Sequence, residues 1–200
     1  MKHLLLVALA AGGLAGQSLE LSASAGAFRM GGNSLGYLGY GLGDVPSNEM
    51  IFSGGAALSF RFTYNSSRWL GHEFGAARGA NTLTAPIGSN GILFDVPTST
   101  WTGFYDLLLY AVPEESRFRP FLAAGANYST FNPLYPHVFG TGYERKFGFN
   151  YGGGLKIPVH RYFLLRVDYR EYATPKPFNL IAQSGLLRQR EISAGVGLVF

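Results

Sequence analysis

Histidines are the residues of this sequence best suited to proton transfer, and there are four of them: His3, His72, His137 and His160. Acid–base catalysis of acyl transfer requires a nucleophile within hydrogen-bond reach of the base, and no serine lies near His72 in the sequence. His72 and Glu73 are adjacent, so on a strand they point to opposite faces and cannot hold one metal ion together. We therefore predict no catalytic, cofactor-binding or metal site.

The composition is unusual for a soluble domain. Charged residues make up 14% of the chain, against about 25% in typical domains, and 28 glycines accompany 15% aromatic residues. The absence of cysteine excludes disulfides and thiolate metal sites. The net charge of +4 is weak support for attraction to anionic lipid headgroups. No basic run is interleaved with stacking aromatics, so no nucleic-acid partner is expected.

The N-terminus has the pattern of an export signal. A basic start at Met1-Lys2-His3 precedes an apolar run from Leu4 to Leu14, and Gly13-Leu14-Ala15 offers a small-x-small cleavage site. The run is shorter than the roughly 20 residues that a membrane-spanning helix needs. We expect residues 1–16 to be removed and residues 17–200 to form one domain.

Eight segments of the remaining chain alternate between apolar and polar or small residues, which predicts eight β-strands. In the last one, Ile192, Ala194, Val196, Leu198 and Phe200 share a face opposite Glu191, Ser193, Gly195 and Gly197. Apolar faces of this length suit contact with lipid. The eight segments lie at about 17–28, 51–64, 69–79, 99–111, 120–130, 146–157, 162–172 and 191–200.

Short and long connections alternate between these strands. The connections at 65–68, 113–117 and 158–161 are short, whereas those near 29–50, 80–98, 131–145 and 173–188 are long. This alternation is typical of an up-and-down transmembrane barrel with short periplasmic turns and long extracellular loops. An even strand number closes the sheet without an unpaired edge in lipid. We therefore predict an all-β, eight-stranded antiparallel barrel whose termini are both periplasmic.

Aromatic residues fall near the predicted strand ends, where the membrane interfaces should be. Aromatic rings favour the headgroup level of a bilayer, so two opposed aromatic belts are predicted. The outer belt contains Trp101, Tyr105, Tyr128, Phe147 and Tyr169, and the inner belt contains Tyr64 and Phe163, together with the terminal Phe200.

The same alternation places nine ionisable side chains inside the barrel. Opposite charges in so narrow an enclosure should pair, because an unpaired ion there is strongly destabilising. A salt-bridged, closed lumen is favoured over a gated pore, since open aqueous channels belong to barrels with many more strands. The predicted lumen network consists of Glu20, Arg61, Glu73, Asp106, Lys156, Arg166, Asp168, Arg170 and Glu191.

Three stretches resemble the small OmpA/OmpX-type eight-stranded outer-membrane barrel proteins: Arg119 to Tyr128, Gly148 to Leu155, and Leu165 to Arg170. The resemblance covers nearly the whole chain from about residue 17 to residue 200. In similar proteins the barrel-assembly machinery reads a C-terminal signal, here matched by Ser193, Gly195, Leu198 and Phe200. The peptidoglycan-binding domain that larger relatives carry after the barrel has no counterpart in this sequence, so anchoring by that route is not expected.

The resemblance also raises catalysis, since similar barrels include lipid A deacylases and acyltransferases with His and Ser on the outer surface. His137 lies in a long loop among prolines, His160 in a predicted periplasmic turn, and His72 toward the periplasmic end of its strand. None of these positions pairs a base with a nucleophile. An enzyme is therefore the second alternative, after a small passive pore.

The long loops remain as candidate contact sites. Residues 29–50 contain Leu35, Tyr37, Leu38 and Tyr40, and residues 173–188 contain several apolar residues, including Phe178. Exposed aromatics on loops held by a rigid scaffold often mark binding surfaces, but these loops could equally pack over the barrel mouth. We expect a monomer in the outer membrane, with lipid and lipopolysaccharide as partners and a surface ligand at the loops. Its predicted role is envelope integrity or surface contact.

Overall fold

The computed structural model describes residues 18–37, 49–87, 92–134 and 143–200 of the chain. Its regular elements are all β-strands, and within these residues there is no helix long and apolar enough to cross a membrane. The strands are β1 (Ser18–Gly31), β2 (Ser34–Tyr37), β3 (Glu49–Asn65), β4 (Leu70–Ile87), β5 (Ile92–Tyr110), β6 (Arg119–Pro133), β7 (Glu144–His160), β8 (Phe163–Pro175) and β9 (Leu186–Val199).

Eight of these strands form a closed antiparallel barrel, which confirms the predicted fold. Each strand from β3 to β9 pairs with the next, and β1 pairs with both β3 and β9. The barrel closes through β1. Its residue Ala23, for example, lies opposite Phe60 of β3 on one side and opposite Val196 of β9 on the other. The remaining strand, β2, is a four-residue extension that pairs with the first part of β3.

The two ends of the barrel differ. At the turn end, residues 66–69 join β3 to β4, residues 111–118 join β5 to β6, and residues 161–162 join β7 to β8. Both the start of β1 and the C-terminus lie here, where the Phe200 amide donates to the Leu19 carbonyl at 2.9 Å. The opposite end, called the loop end, carries β2, the paired ends of β4 and β5, and residues 176–185.

Burial follows the predicted alternation over most of the barrel, although residues 170–174 of β8 are all buried. In β8, Arg166 and Asp168 are at most 1% exposed, whereas Leu165 and Val167 are 43% and 48% exposed. Phe60, Leu122 and Phe147 are likewise exposed on the outer surface. Apolar side chains therefore coat the outside of the barrel, and ionised groups lie within it.

The strands are longer than the alternation predicted, and most of the extra residues lie at the loop end; at the turn end, residues 158–160, predicted as part of a turn, belong to β7. The connection expected at 80–98 is mostly strand, since β4 and β5 stay paired from Leu83–Val96 to Ile87–Ile92. The reason is that the alternation continues here with the apolar side chains on the inner face instead of the outer face. Leu83, Ala85 and Val96 point inward and are buried. A search for apolar residues on the outer face misses such a segment.

Candidate functional site

The structure buries all nine predicted lumen residues, seven of them in one network of ion pairs and Glu20 and Lys156 in a separate pair. Each is at most 2% exposed, and Arg166 and Arg170 are among the largest fully buried side chains of the described residues. Because no bulk solvent reaches these ions, they depend on one another and on neighbouring hydroxyl and amide groups.

Arg166 is at the centre of the network. Its Nη1 donates to Glu73 Oε2 at 3.0 Å, and its Nε and Nη2 donate to the two oxygens of Asp168 at 2.8 and 2.7 Å. β4 and β8 are four strands apart in either direction around the barrel. The Arg166–Glu73 pair therefore joins opposite walls and passes through the middle of the lumen.

Arg170 forms the next set of contacts. Its Nη2 donates to Glu73 Oε1 at 2.6 Å, and its Nη1 donates to Asp106. Asn150 also donates to Asp106, and Thr63 Oγ1 donates to Glu73 at 2.8 Å. Glu73 thus accepts hydrogen bonds from two guanidinium groups and one hydroxyl.

Arg61 and Glu191 form a pair toward the loop end. Arg61 Nη2 lies 2.9 Å from Glu191 Oε1. The Ser59 and Tyr172 hydroxyls donate to the same carboxylate at 2.6 and 2.9 Å. With these partners Glu191 is buried as a hydrogen-bonded anion, which limits the penalty of removing it from water.

Glu20 and Lys156 form the pair nearest the turn end. Lys156 Nζ lies 2.5 Å from Glu20 Oε2 and donates to the Tyr110 hydroxyl at 2.9 Å. Asn65 donates to Glu20 at 2.7 Å and accepts from Tyr110 at 2.6 Å. These four side chains form a closed hydrogen-bonded ring.

Two inward-facing aromatic rings contact the cations of the network. Arg61 and Arg170 lie 5.9 and 5.7 Å from the centroid of Phe104. Arg166 and Lys156 each lie 5.6 Å from the centroid of Phe121. Cation–π attraction strengthens when both groups are desolvated, so these rings both fill space and stabilise charge.

Sequence reasoning missed a further interior cation, Arg119. It is 2% exposed and lies 3.5 Å from the centroid of the Tyr110 ring. Arg119 precedes Pro120, where the predicted strand began, so it was left outside the alternation. Its even spacing from Phe121 and Ala123, both inward-facing, was the available signal.

Sequence reasoning also missed an apolar layer inside the loop end, called here the apolar cap. All its members are at most 3% exposed, and Phe52 and Phe131 meet edge to face with centroids 5.9 Å apart. The layer lies on the loop-end side of the ionic network. The apolar cap consists of Leu35, Met50, Phe52, Leu83, Ala85, Val96, Phe131, Phe178 and Leu187.

The predicted contact loops contribute to this cap. Leu35, from the 29–50 segment, and Phe178, from the 173–188 segment, are both buried in it. Their segments also pair with each other through a bridge between Tyr37 and Ile181, of which Ile181 stays 55% exposed. Leu38 and Tyr40 lie outside the described residues. For Leu35 and Phe178 the structure therefore supports the alternative in which the loops pack over the mouth of the barrel.

The histidines are not grouped into a site. His72 faces outward between Tyr64 and Tyr105, and its Nδ1 lies 2.8 Å from the Tyr105 hydroxyl. His160 is exposed at the turn end. His3 and His137 lie outside the described residues, among which no three His, Asp or Glu side chains are placed to hold a metal ion.

The predicted aromatic residues all face outward. Trp101, Tyr105, Phe147, Phe163 and Tyr169 are 38–76% exposed, and Tyr64 and Tyr128 are partly exposed. Of the predicted assembly signal, Leu198 and Phe200 face outward at the turn end. Ser193 points inward, and Gly195 lies opposite Ser24, where the strands approach closely.

An ionic group that sequence reasoning did not single out lies on the outer surface toward the loop end. Arg188 Nη1 and Arg190 Nε lie 3.2 and 3.0 Å from the two oxygens of Glu171, and Tyr151 donates to Glu171 at 2.8 Å. Arg29 lies directly opposite Arg190 on β1. This outer basic cluster (Arg29, Glu171, Arg188 and Arg190) has three cations for one carboxylate.

The fold and the distribution of charge define an outer-membrane β-barrel. The family model described as "Outer membrane protein beta-barrel domain" matches residues 4–200, so the chain belongs to that family and its place is the outer membrane. No curated protein sequence matches the chain significantly.

Solved structures of outer-membrane proteins share the fold. OprG from Pseudomonas aeruginosa has a TM-score of 0.62 at 14% identity, covering 93% of this chain and 96% of OprG. Neisserial surface protein A has a TM-score of 0.56 at 16% identity, with coverages of 91% and 97%. Yersinia pestis Ail, solved with the heparin analogue sucrose octasulfate, has a TM-score of 0.53 at 14% identity, with coverages of 94% and 100%.

Proposed function

We propose that this protein is a non-enzymatic barrel with a closed lumen that serves envelope integrity and contacts molecules at the cell surface. The observation that carries the proposal is the Arg166–Glu73 pair, which joins opposite walls of the lumen beneath an apolar cap. Any polar path through the lumen would have to pass both the Arg166–Glu73 pair and the apolar cap. We further propose that residues 1–16 are an export signal and that the turn end faces the periplasm. The C-terminal strand would then be recognised by the barrel-assembly machinery.

A passive pore is the alternative, and opening it requires several buried pairs to separate together. The single carboxylate of Glu73, for example, is paired with two arginines, Arg166 and Arg170. Removing one member of a buried pair while the other stays buried without a partner typically costs about 3–5 kcal/mol. A thermally populated open state would therefore be rare.

Conductance in planar bilayers tests the closed lumen. The refolded protein should insert without single-channel currents, while an open porin in the same bilayers conducts. Heat-modifiable migration on a gel verifies that the sample is folded. Steady currents from the wild type that vanish in Arg166→Met would establish the pore.

For the surface contact we propose anionic groups of lipopolysaccharide at the outer basic cluster. Arg188 and Arg190 are close to half exposed while sharing one carboxylate, so their remaining N–H groups are open to phosphate. Ail was solved with a sulfated sugar, a ligand that is likewise a polyanion.

Lipopolysaccharide binding by paired variants tests this contact. Arg188→Gln/Arg190→Gln should bind lipopolysaccharide micelles about tenfold more weakly, since two charge-assisted contacts are lost. Arg117→Gln/Arg161→Gln removes two cations from the turn end and should bind like the wild type. Equal affinity of both double variants would locate the contact elsewhere.

Lipid A hydrolysis tests the absence of enzymatic activity. The described partner of His72 is a tyrosine hydroxyl, which is a poor nucleophile at neutral pH. The refolded protein should leave lipid A intact. Hydrolysis that is lost in His72→Ala or His137→Ala would show that the protein is an enzyme.

A further inference from the structure

A second, smaller site lies at the turn end, away from the closed centre of the lumen. A cavity of about 180 Å³ opens there, lined by residues of β1, β6, β7, β8 and β9 and of two turns. Arg119 and Lys156 line it together with Glu20, Glu114 and Arg161. Its volume is several times the roughly 30 Å³ that a water molecule occupies in the liquid, so a small ligand group fits.

Arg119 is a buried cation that has no anionic partner among the residues the structure describes. Its guanidinium is not within 4.0 Å of any carboxylate of the described chain, in contrast to Arg61, Arg166 and Arg170. Its Nη2 donates to the Arg68 carbonyl at 3.1 Å, and its Nε, though buried, has no acceptor among the described residues. A buried guanidinium with an unused N–H is a site for a charged acceptor.

The two carboxylates of the cavity are held by other groups. Glu20 is bound to Lys156 and Asn65. Glu114 accepts from the Ser18 hydroxyl, which in turn accepts from Asn65 at 2.8 Å. This arrangement keeps Glu114 beside β1, and Arg119 does not share it.

The charge balance of the cavity indicates the class of ligand. Three cations and two carboxylates line it, so one positive charge is in excess at neutral pH. A guanidinium binds a carboxylate through two parallel N–H···O bonds. A phosphate dianion would bring more negative charge than this excess neutralises, next to Glu20 and Glu114.

We propose that this cavity binds the carboxylate of a small molecule or of a peptide C-terminus, with Arg119 as its direct ligand. The site is independent of the closed centre of the lumen, because Glu20 and Lys156 separate Arg119 from the central pairs. The ring of Tyr110 supports the guanidinium from one face and so orients its N–H groups.

Solution NMR of the refolded full chain in detergent micelles tests the proposal. The probe is N-acetylglycinate, compared at constant ionic strength with the neutral N-acetylglycinamide and with inorganic phosphate. The carboxylate should give a saturable shift of the Arg119 Nε–H resonance and of the His160 and Leu164 amides. N-acetylglycinamide should give no shift, and inorganic phosphate should bind more weakly than N-acetylglycinate.

Three variants complete the test, each followed through the His160 and Leu164 amides. Arg119→Gln should weaken binding about tenfold, because it removes the charge-assisted contact. Arg119→Lys retains the charge without the paired N–H groups and should bind with intermediate affinity. Arg117→Gln, in the same turn but outside the cavity, should bind like the wild type.

Several results would overturn the assignment. They are no saturable shift with the carboxylate, equal shifts with the neutral amide, unchanged binding by Arg119→Gln, or tighter binding of phosphate. If Arg119→Gln does not refold, Arg119→Lys decides: affinity equal to the wild type would exclude a direct guanidinium contact.

Discussion

Arg166 on β8 and Glu73 on β4 form a 3.0 Å ion pair between diametrically opposite strands of the barrel. Neighbouring strands of the barrel are already joined by backbone hydrogen bonds. This pair adds a link across the diameter that neither strand could make with an adjacent one. Its position makes Glu73 both a stabilising group and an obstruction of the lumen.

Replacing Glu73 should destabilise the barrel more than removing an ion pair at its surface. Glu73→Gln leaves Arg166 and Arg170 buried with a weaker acceptor, and the expected loss is about 3–5 kcal/mol of unfolding free energy. Lys146→Ala breaks the partly exposed pair with Glu144 and should cost less than about 1 kcal/mol. Urea unfolding in lipid vesicles, followed by tryptophan fluorescence, measures both. Equal stabilities would mean that the central network contributes little.

Gly75 should not tolerate a larger side chain. A Cβ added at this inward-facing position would lie 2.2 Å from Cζ of Phe104, so Gly75→Ala forces the ring aside and should cost about 1–3 kcal/mol. The matched control is Gly103→Ala on the neighbouring strand, where no atom lies within 4 Å of the added Cβ.

The double variant Gly75→Ala/Phe104→Leu tests the cause of that loss. It should recover part of the lost stability, because the smaller leucine leaves room for the new methyl group. The same unfolding measurement applies. If the second substitution only adds to the first, steric conflict with Phe104 is not the reason.

The period-2 alternation was enough to predict the eight strands and the inward face of the nine ions in the predicted lumen network. Each face follows from residue parity alone, as Leu165 and Arg166 illustrate. The ion pairs themselves could not be predicted. Which carboxylate meets Arg166 depends on the stagger with which β1 meets β3 and β9, and that stagger is a property of the closed barrel.

The apolar cap and Arg119 show the limits of predicting inner and outer faces from odd and even positions along a strand. Residue parity assigns apolar residues to the lipid-facing side, which fails at the loop end, where Leu83 and Val96 point inward and pack on one another. Pro120 is typical of a strand start and so excludes Arg119 from the predicted strand, although β6 includes both. In each case a boundary was drawn where the chemistry changed, while the strand itself continued.

The apolar cap should behave as a protein core although it lies inside a membrane barrel. Leu187 is fully buried, so Leu187→Ala should leave a cavity and cost about 2–5 kcal/mol. Leu186→Ala, next to it on the outer face and 36% exposed, should cost much less. Thermal shift of heat-modifiable migration ranks the two variants. A larger effect of Leu186→Ala would show that the cap is not a packed layer.

A charge on the outer face should be most harmful halfway along a strand. Val167 lies near the middle of β8 and is 48% exposed, so Val167→Arg places a cation in the hydrocarbon and should cost about 2–4 kcal/mol. Phe163→Arg, at the turn end of the same strand, lies near an interface and should cost about 0–1 kcal/mol. Unfolding from lipid vesicles compares the two variants, with Val167→Leu as a volume control. Equal effects of the two arginines would contradict a membrane placed across the middle of β8, because only a bilayer makes the penalty depend on depth.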